Sequence, residues 1–129
     1  MNILVVDDDT IVNRVIQFFL KGFPHSIDVA NTGTKAISLY RKNNYDLIFM
    51  DLGLPDLNGI EVTKQIRKLS ARDKFVPIIA LTGYCDEICK QACFTAGMNN
   101  FLNKPLQYEQ LQKILNNYTN TTPYLFLTP

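Results

Sequence analysis

Apolar runs and amphipathic segments alternate along the chain from its first residues to about residue 118. The apolar runs cover positions 2–6, 27–30, 46–50, 77–81 and, more weakly, 100–102. Most of them are apolar without interruption, which is typical of parallel strands with helices packed on both faces. The pattern therefore predicts five short parallel strands.

Between these runs, apolar residues recur at the spacing of amphipathic helices. In the first segment, Ile11, Val15 and Phe19 share one face, with Val12 and Ile16 alongside. The other segments are marked by Ala36, Ile37 and Tyr40; by Val62, Ile66 and Leu69; by a stretch from about 85 to 96; and by Leu111, Ile114, Leu115 and Tyr118. Candidate caps and ends for these helices are Asp9 or Thr10, Thr32 or Thr34, Asn58, Gly22 and Gly97.

Five strand–helix units in this order predict an open, doubly wound α/β sandwich. In such a sheet, sites form beyond the carboxyl ends of the strands, where the strand order reverses. Residues 119–129 break the pattern, and we expect them to form a tail that is frayed or laid against the domain.

Composition is that of one ordinary globular domain. Of the 129 residues, 47% are apolar and 19% are charged, so no disulfide or structural metal is needed for folding. The net charge of +1 gives no reason to expect nucleic acid or an anionic membrane as a direct partner. Neither a run of ~20 apolar residues nor a signal peptide is visible, so a cytoplasmic location is expected.

The three cysteines, Cys85, Cys89 and Cys93, are spaced by four residues, which would place them along one face of the fourth helix. An odd number on a single helix favours reduced thiols over a disulfide framework. Without a fourth ligand nearby, they also form a poor zinc pattern. Buried packing thiols are therefore expected.

Four strand ends carry polar or charged side chains: Asp7, Asp8 and Asp9 after the first strand, Asp51 at the end of the third, Thr82 at the end of the fourth and Lys104 after the fifth. A helix cap or a solvated loop charge accounts for Asp9. It does not account for Asp51, which ends an apolar run where an unpaired carboxylate is costly.

Clustered carboxylates repel one another, and two unit charges about 4 Å apart cost roughly 4 kcal/mol at an effective dielectric constant near 20. A hard divalent cation removes this penalty, and Mg²⁺ favours carboxylates, water and phosphate oxygens. The set suits a phosphoryl group, with Asp51 as nucleophile, Thr82 as hydrogen-bond donor and Lys104 neutralising charge.

Four stretches of the chain closely resemble the receiver domains of two-component response regulators: LVVDDD at 4–9, MDLGLPDLNG at 50–59, ALT at 80–82 and KP at 104–105. The resemblance covers residues 2–118. It implies a flavodoxin-like sheet of five parallel strands in the order 2-1-3-4-5 with five helices. Residues 96–105 look most like receivers carried by hybrid sensor histidine kinases, so such a kinase is a candidate parent protein.

The resemblance also implies a role for each matching residue. Asp51 matches the phosphorylated aspartate, and Thr82 and Lys104 match the phosphoryl-binding pair. The implied Mg²⁺ ligands are Asp8, Asp51 and the carbonyl of Gly53, with Asp7 acting mainly through water. The Lys104–Pro105 peptide is typically cis in this family.

Phosphorylation is then expected to draw the Thr82 hydroxyl towards the phosphoryl group, while Phe101, at the aromatic switch position, rotates into the vacated space. This would remodel the face of the fourth helix, fifth strand and fifth helix, through which such receivers dimerise or engage an output protein. The implied donor is a histidine kinase or a histidine-containing phosphotransfer protein.

The resemblance also implies two positions that set the lifetime of the phosphorylated state. They come two residues after the aspartate and two after the threonine, and flank the approach of water to the phosphoryl group. Gly53 has no side chain to hold an attacking water. Tyr84 can shield the phosphoryl group, or it can simply pack on the start of the fourth helix.

Three other functions compete with this one. A Mg²⁺-dependent phosphatase with an aspartyl nucleophile would need an acid where Gly53 stands, and a substrate cap for which no insertion is long enough. A receiver-like binding module independent of phosphorylation would tend to lack a member of the acid, threonine and lysine set. A DNA-binding regulator would need a basic surface and an effector for which the chain leaves no room.

Overall fold

The computed structural model of the protein describes residues 1–70 and 75–118, so the predicted tail at 119–129 lies outside the described residues. Within these ranges five strands alternate with five helices, and none of the helices has the length and hydropathy that a bilayer-spanning segment requires. In chain order the elements are β1 (Asn2–Val6), α1 (Thr10–Phe19), β2 (Ser26–Ala30), α2 (Gly33–Lys42), β3 (Leu47–Asp51), α3 (Gly59–Leu69), β4 (Ile78–Thr82), α4 (Glu87–Ala96), β5 (Asn100–Asn103) and α5 (Tyr108–Tyr118).

The five strands are parallel and pair in the order β2-β1-β3-β4-β5, which confirms the predicted flavodoxin-like sheet. The order reverses at β1, because β2 lies on one side of it and β3 on the other. The carboxyl ends of β1 and β3 therefore flank the crevice in which open α/β sheets place their sites.

Side chains along each strand alternate between two apolar layers. Leu4 and Val6 of β1 pack with residues of α2, α3 and α4, whereas Ile3 and Val5 pack with residues of α1 and α5. All four are fully buried. Burial on both faces explains why the strands are uninterrupted apolar runs in the sequence.

The first three helices begin at predicted caps, where a side-chain oxygen accepts a backbone N–H of the first turn: Asp9, Thr32 and Asn58. Gly97 ends α4 with a φ of 113°, a conformation that favours glycine. Gly22 was predicted to end α1, but the helix already ends at Phe19. Gly22, with a φ of 89°, lies in the turn that follows.

The cysteines differ from the prediction. Asp86 caps α4, so the helix begins at Glu87 and Cys85 lies in the preceding loop. From that loop its sulfur reaches Cys89 in the first turn, and the two form a disulfide. The prediction of reduced thiols on one helix face is wrong for this pair, because it assumed that Cys85 is helical. Cys93 is a buried free thiol, as expected.

α1 has an apolar face that the domain covers only in part. Ile16 is fully buried, with Val12 and Phe19 packed beside it. Ile11 and Phe18 are 69% and 71% exposed, although Ile11 was grouped with the apolar face in the sequence. A stripe of apolar side chains on this helix is therefore accessible to a partner.

Candidate functional site

Three carboxylates lie together at the carboxyl edge of the sheet. Asp51 is the last residue of β3, and Asp7 and Asp8 follow β1. Because β1 and β3 are neighbours, one oxygen of each carboxylate lies within 4.8 Å of the others. Asp7 is 0% exposed and Asp51 is 7% exposed, whereas Asp8 is open to solvent. The fold thus brings together the acidic residues that the sequence singled out.

Hydrogen bonds fix the position of Asp7. Its N–H donates to the Ala30 carbonyl at 3.0 Å, which continues the β1–β2 ladder beyond the strand end. Its Oδ1 accepts the Asp9 N–H at 2.9 Å. The side-chain amide of buried Asn13 donates to the Asp7 carbonyl at 2.9 Å. Sequence reasoning missed Asn13, although a polar residue beside core positions of an amphipathic helix was a signal that could have found it.

Lys104 connects two of the carboxylates. The preceding residue, Asn103, pairs with Thr82, and the Lys104 N–H donates to the Thr82 carbonyl at 2.8 Å. The ammonium Nζ lies 2.9 Å from Asp7 Oδ2 and 3.1 Å from Asp51 Oδ1. Burial acts to lower the pKa of Lys104, but the two carboxylates outweigh it and raise the pKa. Lys104 is therefore a fixed positive charge beside Asp51.

Asp7 lacks full compensation for its burial. Removal from water raises its pKa above the ordinary value, although the Asp9 N–H and Lys104 act in the opposite direction. Its Oδ2 is buried and accepts no well-directed hydrogen bond, so the nearby Lys104 charge is its compensation within the described structure. Three carboxylates face one ammonium group, and an oxygen-only donor set with excess negative charge fits a hard cation such as Mg²⁺.

The Thr82 hydroxyl is turned towards the loop after β4. It donates to the Tyr84 carbonyl at 2.8 Å and accepts the Tyr84 N–H at 3.1 Å. In the strand register Asp51 lies opposite Leu81, so Thr82 is one residue further along the neighbouring strand. A phosphoryl group on Asp51 would have to compete with the Tyr84 backbone for this hydroxyl.

Gly59, the first residue of α3, lies directly against the backbone of Asp51. A Cβ at this position would collide with the Asp51 carbonyl oxygen. The Gly59 N–H also donates to the Leu52 carbonyl at 2.9 Å, so the chain after Asp51 folds back onto it. The positioning role of Gly59 was not predicted, although the residue belongs to the 50–59 stretch.

Three further residues were singled out in the sequence. Gly53 is exposed in the loop that follows β3, and Phe101 and Tyr84 lie around α4. Phe101 is half-buried, and its ring meets the edge of Phe94 with centroids 5.1 Å apart. Tyr84 is 83% exposed, so its side chain packs little on the domain. Switching by Phe101 and shielding by Tyr84 stay predictions. The peptide bond between Lys104 and Pro105 is cis, as the resemblance implied.

Comparisons with known proteins agree with this geometry. A sequence profile described as "Response regulator receiver domain" matches residues 3–116. The aerobic respiration control sensor protein ArcB of Escherichia coli (strain K12) is 31% identical over 121 residues, which are 94% of this chain and 15% of ArcB. The chain thus spans a small part of this relative.

Two solved structures share the fold over most of both chains. The receiver domain of sensor histidine kinase PA1611 from Pseudomonas aeruginosa PAO1 is 34% identical with a TM-score of 0.80, covering 91% of this chain and 95% of that one. Its structure is described with a magnesium ion coordinated in the active site cleft. The second is the co-crystal structure of the Saccharomyces cerevisiae histidine phosphotransfer signaling protein Ypd1 and the receiver domain of its downstream response regulator Ssk1. One chain of that complex is 30% identical with a TM-score of 0.84, covering 95% and 90% of the two chains.

Proposed function

The chain belongs to the response regulator receiver family and is a receiver domain of two-component signalling, and we propose that Asp51 is its phosphoacceptor. The observation that carries the proposal is that Asp51 shares the acidic cluster and also contacts the Lys104 ammonium. Asp7 shares both properties, but it is wholly inaccessible and its Oδ1 already accepts a backbone N–H. Asp8 makes no ion pair with Lys104 in the described structure.

The proposed reaction is phosphoryl transfer from a phosphohistidine. An Asp51 carboxylate oxygen forms a bond to phosphorus as the phosphorus–nitrogen bond breaks, and the freed histidine nitrogen takes up a proton. Lys104 balances negative charge on the phosphoryl oxygens, because its ammonium already lies 3.1 Å from Asp51 Oδ1. Thr82 donates to the same oxygens once its hydroxyl leaves the Tyr84 carbonyl.

We also propose that Asp7, Asp8, Asp51 and the carbonyl of Gly53 hold a Mg²⁺ ion, with Asp7 acting mainly through water. Excess negative charge and the buried Asp7 Oδ2, which lacks a directed hydrogen bond, support a cation here. When bound, Mg²⁺ would neutralise charge on the transferred phosphoryl group.

The proposed donor is a histidine kinase or a histidine-containing phosphotransfer protein that contacts α1. This helix begins directly after the loop that carries Asp7 and Asp8, and its exposed Ile11 and Phe18 extend an apolar surface away from the site. An apolar helix of the donor would cover this stripe while its phosphohistidine reaches Asp51. The Ypd1–Ssk1 co-crystal structure supports this class of partner. A hybrid histidine kinase in the cytoplasm is the proposed parent or partner system.

The proposed output face consists of α4, β5 and α5, used for self-association or for binding an output protein. On α4, Ile88 and Phe94 are 81% and 48% exposed, and Phe94 rests on Phe101 of β5. Release of the Thr82 hydroxyl from Tyr84 would loosen the loop that leads into α4. The proposed chemistry is limited to the domain's own phosphorylation and dephosphorylation.

Incubation with acetyl phosphate and Mg²⁺, followed by mass spectrometry of the labile modification, tests the proposal. We expect label on Asp51 in the wild type, and loss of label in the Asp51→Asn variant or when Mg²⁺ is chelated. Asp46→Asn, which changes an aspartate just before β3 at the opposite edge of the sheet, should label normally. Equal labelling of wild type and Asp51→Asn would refute the assignment. Undiminished labelling in a chelator would refute the metal requirement.

A further inference from the structure

The loop between β4 and α4 carries two sulfur atoms that the phosphoryl transfer does not use. Cys85 in this loop is joined to Cys89 in the first turn of α4, with Cα atoms 5.3 Å apart. Both residues are half-buried, so small reagents can reach them, whereas Cys93 is fully buried. The three sulfurs lie within 4.8 Å of one another.

This disulfide is attached to the segment that holds the Thr82 hydroxyl. Cys85 directly follows Tyr84, whose carbonyl and N–H both bond that hydroxyl. Cys89 is anchored at the start of α4, because its N–H donates to Asp86 Oδ1 at 2.8 Å. The disulfide therefore links the backbone next to Tyr84 to the capped first turn of α4.

We propose that Cys85 and Cys89 form a reversible dithiol–disulfide site that controls how readily Thr82 is released to a phosphoryl group on Asp51. This inference rests on the proposed function of Asp51. In the disulfide form the loop is held against α4, and the Tyr84 backbone retains the Thr82 hydroxyl. In the dithiol form the loop can withdraw and the hydroxyl can turn. Oxidation thus slows phosphorylation and the switch that follows it.

The co-reactant is a low-molecular-weight disulfide or an oxidised dithiol protein. A thiolate of the pair attacks the disulfide of the co-reactant and expels one thiol, and the second cysteine then displaces the other. Two cysteine thiols and one external disulfide thus give the Cys85–Cys89 disulfide and two external thiols, and a dithiol reductant reverses the reaction. Burial raises the pKa of Cys93 and keeps it as a thiol, so it does not take part. In reducing compartments disulfides are usually transient and redox-sensing, as this proposal requires.

Counting free thiols in the denatured protein tests the chemistry. With three cysteines in the chain, we expect three free thiols after treatment with dithiothreitol and one after treatment with oxidised glutathione. The Cys93→Ala control should have two free thiols after dithiothreitol and none after oxidised glutathione. Cys85→Ser should form no internal disulfide under either condition. Three free thiols after oxidation, or a disulfide that includes Cys93, would overturn the proposal.

The rate of Asp51 labelling by acetyl phosphate and Mg²⁺ tests the coupling. In the Cys93→Ala background, we expect the oxidised protein to label roughly fivefold more slowly than the reduced protein, the effect of about one hydrogen bond. Cys85→Ser should label at the reduced rate after either treatment. Equal rates for oxidised and reduced Cys93→Ala protein would overturn the proposal.

Amide exchange of the unphosphorylated protein separates this inference from the proposed function. Amides of residues 83–89 should exchange more slowly in the oxidised form. If Asp51 labels in neither redox form, the proposed function fails, and the exchange comparison still decides whether the disulfide restrains the loop. Identical exchange in the two forms would overturn the restraint.

Discussion

Gly59 controls the position of Asp51 although it has no side chain. Because a Cβ would overlap the Asp51 carbonyl oxygen, Gly59→Ala must displace α3 or the end of β3. We expect a loss of about 1–3 kcal/mol in the free energy of unfolding, as in other overpacked sites, together with slower labelling of Asp51. Denaturant unfolding and acetyl phosphate labelling measure the two effects.

A matched control for this substitution is Gly83→Ala, since nothing lies within 4 Å of a Cβ at Gly83. Its free energy of unfolding should change by no more than about 0.5 kcal/mol. Equal losses in the two variants would show that a general effect of replacing glycine, and not contact with Asp51, explains the loss.

If Asp51 is the phosphoacceptor, as proposed, we expect Gly53 and Tyr84 to set how long the phosphorylated state lasts. A Cβ at Gly53 would meet nothing within 4 Å, so a side chain can start there without a clash, and the amide of Gly53→Asn can position an attacking water. Tyr84 is 83% exposed and free to extend over the phosphoryl group. We expect Gly53→Asn and Tyr84→Ala each to speed the loss of phosphate from Asp51 severalfold, timed after the donor is removed.

The control is Tyr84→Phe, which keeps the ring and should lose phosphate at the wild-type rate. Unchanged or slower decay in both Gly53→Asn and Tyr84→Ala would leave shielding without support.

Single residues differ in how far the sequence could predict them. Asp51 and Lys104 could be placed in one site, because the ends of parallel strands meet at one sheet edge. The sequence marks Asn13 as a polar residue beside core positions and Gly59 as part of the 50–59 stretch. It does not give their roles, because these depend on backbone groups that come close only in the folded domain. The bonds between Thr82 and the Tyr84 backbone likewise depend on loop geometry that no motif encodes.

At the scale of secondary-structure elements, Asp56 ties the loop after β3 to the start of α2. Its carboxylate accepts the Thr34 hydroxyl at 2.6 Å and the N–H groups of Gly33 and Thr34 at 2.8 and 2.9 Å. These hydrogen bonds, with that of the Thr34 hydroxyl the largest contribution, hold the pKa of Asp56 well below its ordinary value of 3.8. The ionised carboxylate therefore favours the folded state.

Because this pKa is lowered on folding, the stabilisation is fully present above about pH 4 and is lost as the pH falls towards the folded-state value. We expect Asp56→Asn to lower the thermal midpoint by a few degrees at pH 7. The difference from wild type should shrink as the pH falls below about 4. Thermal unfolding of both proteins from pH 7 to pH 2.5 measures this. A difference that stays constant over the range would contradict the assignment.

The start of α4 shows why element boundaries matter for chemistry. The four-residue spacing of the cysteines predicted a common helix face, but the Asp86 cap shifts the helix start past Cys85. Because α4 starts two residues later than predicted, Cys85 lies outside the helix and can form a disulfide with Cys89. An error of one or two residues in the predicted end of β3 or β4 has no such consequence, because Asp51 and Thr82 still lie at the carboxyl edge of the sheet.

At the scale of the whole molecule, the sheet separates the exposed apolar residues of α1 from those of α4. α1 packs on one layer of the core and α4 on the other, so the stripe with Phe18 and the α4 part of the proposed output face, with Ile88, lie on opposite sides of the sheet. The α5 part of that face packs on the same layer as α1. The alternation of strands and helices was enough to predict this layered architecture. It could not show which helix faces stay open, because Ile11 and Phe18 have the same apolar character as the buried residues beside them.

If α1 receives the donor and α4 serves output, the two surfaces can be disrupted independently. Phe18 and Ile88 are 71% and 81% exposed, so Phe18→Ser and Ile88→Ser should leave the fold intact. We expect Phe18→Ser to slow transfer from a phosphorylated histidine phosphotransfer protein by about tenfold or more, since exposed aromatic residues often dominate such interfaces.

Labelling by acetyl phosphate needs no protein contact and should be unchanged in both variants. Ile88→Ser should accept phosphate from the protein donor at the wild-type rate, because its side chain lies across the sheet from α1. Equal slowing in the two variants, or slowing with acetyl phosphate as well, would contradict separate input and output faces.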